Sequence, residues 1–153
     1  MKFRKAFAFL ALLIAGWHQA TSQTVPPLNE PNYNKPKIFS TLPDKLPLHL
    51  TEVEALLNLS VGSDARSTIA PNFLLSGKVV SKSDGIDASV QSIVIKSNLR
   101  NAVFSLSRIK GTDGSVIYRG RMMSREAGDA IEIVKEADSY VLRKISYYNL
   151  LSE

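Results

Sequence analysis

From Phe73 onward, apolar and polar residues alternate in short runs broken by turn formers, and a two-residue period marks half-buried strands. The runs cover 73–82, 90–96, 102–110, 115–124, 130–135 and 139–147. They are separated at Asp84-Gly85, Asn98 to Asn101, Thr112-Asp113-Gly114, Glu126 to Asp129 and Glu136 to Ser139. No break is long enough for a parallel crossover, so consecutive strands are expected to pair antiparallel. Upstream the period becomes helical, with Val53, Leu56, Leu57 and Val61 on one stripe. Thr51 and Glu54 have the spacing of a capping box, and Gly62 supplies a left-handed stop. The expected fold class is α+β: an antiparallel β-meander of five to six strands with one short N-terminal helix packed on one face.

Register refines this expectation, because a slip of one residue turns a whole strand over. A two-residue loop at Asp113-Gly114 would set Leu106 against Arg121 and Arg108 against Arg119. A three-residue loop, Thr112 to Gly114 with Gly114 left-handed, instead pairs Phe104 with Met122, Leu106 with Gly120 and Arg108 with Tyr118. Ser105, Ser107, Arg119 and Arg121 then share the other face. The same parity test on the next two turns calls for loops with an even number of residues. It sets Met122 against Ile133, Ile133 against Leu142, Met123 against Glu132 and Glu132 against Arg143. Beyond Arg143 the alternation fails, which predicts a bulge or a terminal helical turn.

The N-terminal region has a different pattern. Lys2, Arg4 and Lys5 precede an apolar run from Ala6 to Gly16, followed by the small residues Ala20 and Ser22. This is the order of a cleavable secretory signal, and a run of that length rises only about 16 Å as a helix, short of a bilayer core of about 30 Å. Residues 23–37 contain Pro26, Pro27, Pro31 and Pro36 among polar residues and read as an extended tether, with a polyproline ligand as the weaker alternative. The expected layout is a signal peptide at 1–22, a Pro-rich linker at 23–37 and a single domain at 38–153. The location is then secreted or periplasmic, with no transmembrane span in the mature chain.

Composition bears on partners. The 153 residues include 19 basic and 14 acidic side chains and no cysteine, for a formal charge of +5. Three of the basic residues lie in the expected leader, which leaves 16 basic against 14 acidic. The absence of cysteine excludes a disulfide scaffold, a thiolate metal centre and a lipoprotein anchor. Basic residues are nonetheless concentrated locally: Lys96, Arg100, Arg108, Lys110, Arg119, Arg121 and Arg125 face one acid, Asp113, within residues 96–125. One reading is an anion-binding stripe with Tyr118 available for stacking. The other is a solvated face balanced by Glu126, Asp129, Glu132, Glu136 and Asp138, with Glu132 beside both Arg121 and Arg143. Export counts against nucleic acid as the partner.

Catalytic constellations are weak. His18 lies in the leader, so His49 is the mature chain's single imidazole, and its place before the helix suits a structural role. No G-x-S-x-G elbow and no zinc-type cluster is present. Glu132 could pair with Glu126 or Asp129, but these acids lie near arginines, whereas a general acid needs an apolar setting. Asp84 to Asp87 reads as a hairpin turn rather than a calcium loop. Asn58-Leu59-Ser60 matches a glycosylation triplet but suits local hydrogen bonding equally well.

Tyr140, Tyr147, Tyr148, Leu150 and Leu151 make the C-terminal segment aromatic and apolar. It either closes the core or offers an edge to a partner. The leading functional reading is an exported, non-catalytic module that binds a protein or cell-envelope component, without a cofactor or metal. A protease-inhibitor or propeptide-like module is the first alternative, and binding of an acidic glycan or phosphate through the arginine face is the second. The candidate binding residues are Arg119, Arg121, Arg143, Tyr147 and Tyr148.

Overall fold

The computed structural model describes residue 32 and residues 34–83 and 89–150, the last two in backbone alone. The expected signal, residues 23–31 of the linker and the Asp84-Gly85 turn lie outside the described residues.

The described chain forms eight antiparallel strands: β1 (Lys45–Pro47), β2 (Asp64–Ala70), β3 (Phe73–Ser83), β4 (Val90–Ser97), β5 (Val103–Lys110), β6 (Val116–Met123), β7 (Asp129–Glu136) and β8 (Ser139–Ser146). One short helix, α1 (Leu50–Leu57), lies between β1 and β2, and a 3-10 turn, η1 (Tyr147–Leu150), follows β8. The sheet order is β1-β8-β7-β6-β5-β4-β3-β2. The expected α+β meander of five to six strands is therefore corrected to a mostly antiparallel, eight-stranded curled half-barrel with one short helix. The two unforeseen strands are the sheet edges. The inward residues of β2 are Ala65, Ser67 and Ile69, too small and polar to show a clear alternation, and β1 buries only Leu46 beside Pro47.

Two consecutive amides account for the curl. Leu48 N–H donates to the Tyr140 carbonyl of β8 at 3.0 Å, and His49 N–H donates to the Ile69 carbonyl of β2 at 2.8 Å. The connection from β1 into α1 thus ties the two ends of the sheet together and delivers the helix to the concave side. Val53, Leu56 and Leu57 are buried there. Gln91 Nε2 donates to the Leu57 carbonyl at 2.9 Å, and Ser67 Oγ donates to Glu52 at 2.6 Å. The concave face is filled by Phe39, Ile69, Leu75, Val79, Ile93, Ile95, Phe104, Leu106 and Met122.

The helix departs from its expected caps. His49 is the N-cap, and its side chain does not cap α1. Its Nδ1 lies 2.9 Å from the Thr68 carbonyl, so the ring docks onto β2. Thr51 is already inside the helix, and Glu54 is drawn to Tyr118 instead of returning to the cap. The helix ends at Leu57, leaving Val61 exposed, while Gly62, at φ +87°, donates to the Val79 carbonyl and leads into β2.

The three-residue loop is present, with Gly114 at φ +82° and with Phe104–Met122, Leu106–Gly120 and Arg108–Tyr118 pairing. Ile133–Leu142 and Glu132–Arg143 also pair as expected. Between β6 and β7 the register is two residues from the expected one: Met122 faces Ile131, Arg121 faces Glu132 and Met123 faces Ala130. The connection is still even, so no face inverts, but each β6 residue meets a partner two positions earlier in β7, and Asp129 is engaged at the start of that strand. Its carboxylate accepts the Ile38 and Phe39 amides at 2.8 and 2.9 Å. The preceding linker residues follow, with Gly128 N–H bonded to the Pro36 carbonyl and Lys35 Nζ to the Arg125 carbonyl. Among the described residues no helix is long and apolar enough to cross a membrane.

Candidate functional site

β6 reads Tyr118-Arg119-Gly120-Arg121-Met122, and its alternation sends Tyr118 and Met122 inward and the two arginines outward. Register then sets Ser105 of β5 opposite Arg121, Arg121 opposite Glu132 of β7, and Glu132 opposite Arg143 of β8. These side chains, with Ser107 and Arg119, line an open hollow of about 560 Å3 on the outer face. The structure thus brings together three of the five candidate residues, Arg119, Arg121 and Arg143.

Charge in the hollow is unevenly compensated. Arg143 holds Glu132 Oε1 through Nη2 at 2.6 Å and Nε at 3.0 Å. Arg121 Nη2 reaches only to 3.9 Å from Glu132 Oε2. Arg119 is exposed and makes no ion pair among the described residues. Three guanidiniums are therefore gathered around one carboxylate that pairs with two of them, and their flat donor forks match the oxygens of a carboxylate or phosphate. The Ser107 hydroxyl adds a rotatable donor to the same wall, where Ser105 Oγ donates to the Arg121 carbonyl at 3.4 Å.

Tyr147 and Tyr148 stand apart from that group, on η1. Their rings meet edge-on at 5.9 Å, and Lys35 Nζ sits 5.2 Å from the Tyr147 ring centre. Tyr147 lines a second hollow, of about 530 Å3, with Val103 and Met123. Sequence reasoning did not single out Val103, Met123 or Lys35. The expected register already sets Met123 on this outer face, and Val103 shares the parity of Ser105, so both positions were legible as neighbours of Arg121.

Tyr118 is not available for stacking on a ligand. It is buried, donates its hydroxyl to the Glu54 carboxylate, and packs edge-on against Tyr140 at 5.4 Å between ring centres. Burial and the neighbouring Glu54 push the Tyr118 hydroxyl up to about 12. The acids considered for catalysis do not converge. Asp129 and Glu132 are three residues apart on β7 and so point to opposite faces, and Glu126 accepts from Asn101 Nδ2 at 3.1 Å. Asn58 Nδ2 bonds the Glu54 carbonyl at 3.3 Å. Among the described residues no group of three or more His, Cys, Asp or Glu side chains is placed to hold a metal ion.

No family model matches the chain, and no match is found among curated proteins or solved structures.

Proposed function

We propose that the chain is an exported, non-catalytic binding module whose outer sheet face takes an anionic group of a cell-envelope component. The observation that carries this reading is the arginine hollow: Arg143 occupies one oxygen of Glu132, Arg121 is held loosely, and Arg119 has no counter-ion among the described residues. Charges on an open face attract and orient an anion without any bond-making group nearby. The signal-like order of residues 1–22 supports export. The inhibitor-like or propeptide-like alternative would dock through a sheet edge or a hairpin tip, and its edge mode has less support. At β2 the Thr68 and Ile69 carbonyls are already taken by His49.

Retention on immobilised heparin, an acidic glycan, tests the reading. Replacing Arg119 and Arg121 with Ala should lower the eluting salt concentration clearly more than replacing Lys78 and Lys82 on β3. Equal losses would reject a localised site and leave only bulk charge.

A further inference from the structure

The arginine hollow and the Tyr147 hollow adjoin each other along two strands. Arg121 and Met123 are two residues apart on β6, and Ser105 and Val103 are two apart on β5, so each polar residue has an apolar one about 7 Å along the same face. Register confirms the alignment, because Val103 faces Met123 directly just as Ser105 faces Arg121. The face therefore passes from guanidiniums to a hollow walled by Val103, Met123 and Tyr147. Val103 is 39% exposed, whereas Met123 and Tyr147 are half-buried, so the apolar wall is recessed. Arg125 and Glu126 line the same hollow, and Lys35 stands over the Tyr147 ring. A recess with charged groups around it suits one apolar chain better than insertion into a bilayer.

We infer that this face binds a single-chain anionic amphiphile, with its carboxylate or phosphate headgroup at Arg119 and Arg121 and its alkyl chain laid over Val103 and Met123 toward Tyr147. The inference deepens the anion-binding reading and rests on it. Charge complementarity sets the direction, because three guanidiniums face one carboxylate at one end, whereas at the other Arg125 is accompanied by Glu126 and Lys35 stands over an aromatic ring. From Arg119 to Met123 the strand advances about 13 Å, a span suited to a medium alkyl chain. Each methylene removed from water contributes up to about fourfold in affinity, so chain length is a sensitive readout.

The test is calorimetric titration of the full chain with butyl phosphate, dodecyl phosphate below its micelle concentration, and the neutral dodecyl maltoside. Dodecyl phosphate should bind at least about tenfold more tightly than butyl phosphate, and the maltoside only weakly. Arg119→Ala with Arg121→Ala should weaken both phosphates. Val103→Ser with Met123→Ser should remove the chain-length dependence while heparin retention persists. Should that pair melt early, Val103→Ser alone, at an exposed position, should still reduce the dependence. Equal affinity for both phosphates with heparin retention intact overturns the amphiphile and leaves the anion site. Loss of all binding overturns both. Binding to phosphatidylglycerol vesicles without binding to monomeric dodecyl phosphate also overturns it, by assigning the face to a membrane surface.

Discussion

Arg143 grips Glu132 on a single carboxylate oxygen, through Nη2 at 2.6 Å and Nε at 3.0 Å, across the β7–β8 pair. The acid that sequence register sets between two arginines is thus largely committed to one of them. Replacing Glu132 with Gln should therefore strengthen retention on heparin at low salt by severalfold, because the hollow loses its carboxylate. The gain should fade as salt is raised, since much of the surface is open to screening. Elution position measured across ionic strengths checks this, and weaker retention of the variant at low salt would contradict the assignment of the site.

Tyr118 and Glu54 join β6 to α1 and give the fold a dependence on alkaline pH. The Tyr118 hydroxyl ionises near 12 in the folded protein and near 10 when exposed in the unfolded chain. Between those values the unfolded chain has released this proton and the folded chain still holds it. The stabilisation is therefore complete below about pH 10 and is lost as pH rises toward about 12. Urea midpoints over that interval should fall more steeply for the wild type than for Tyr118→Phe, which has no hydroxyl to titrate. Parallel curves would show that the contact contributes nothing to this dependence.

Asp129 anchors the segment before β1. Asp129→Ala would leave the Ile38 and Phe39 amides without their acceptor at a site where Phe39 is buried, and should cost about 2–4 kcal/mol. Asp129→Asn keeps one acceptor oxygen and should cost less. Denaturant unfolding measures both, and hydrogen exchange at the two amides should accelerate in step. Unchanged protection there would separate the carboxylate from the anchoring.

The β7–β8 turn carries a local strain that can be relieved. Ala137 sits at φ +50°, in the left-handed region, within the two-residue turn between paired Glu136 and Ser139. Glycine has no Cβ to resist that conformation, so Ala137→Gly should stabilise the fold by about 0.5–1 kcal/mol despite its greater freedom when unfolded. Thermal unfolding checks this, and a lower melting temperature would mean that the turn tolerates alanine without strain.

The six central strands, the three-residue turn with its left-handed Gly114 and the grouping of Arg119, Arg121 and Arg143 on one face were all readable from residue order. Each depends on neighbours along the chain or across a short hairpin, where a two-residue period and turn chemistry carry the information. The same reasoning misplaced the helix cap, missed β1 and β2 and set β6–β7 two residues away. In each of these cases the deciding partner is distant. Glu54 gives up its cap for Tyr118, 64 residues away, and Asp129 engages at Ile38, 91 residues away. β1 exists only because β8 lies beside it. Separate placements also brought Tyr147 against Val103 and Met123 beside the arginines. Local sequence thus determined which residues alternate and which face each strand offers. Only the tertiary structure decided how the β1–α1 connection ties the two sheet edges and which side chains share a hollow, because those contacts form between segments whose own propensities carry no trace of one another.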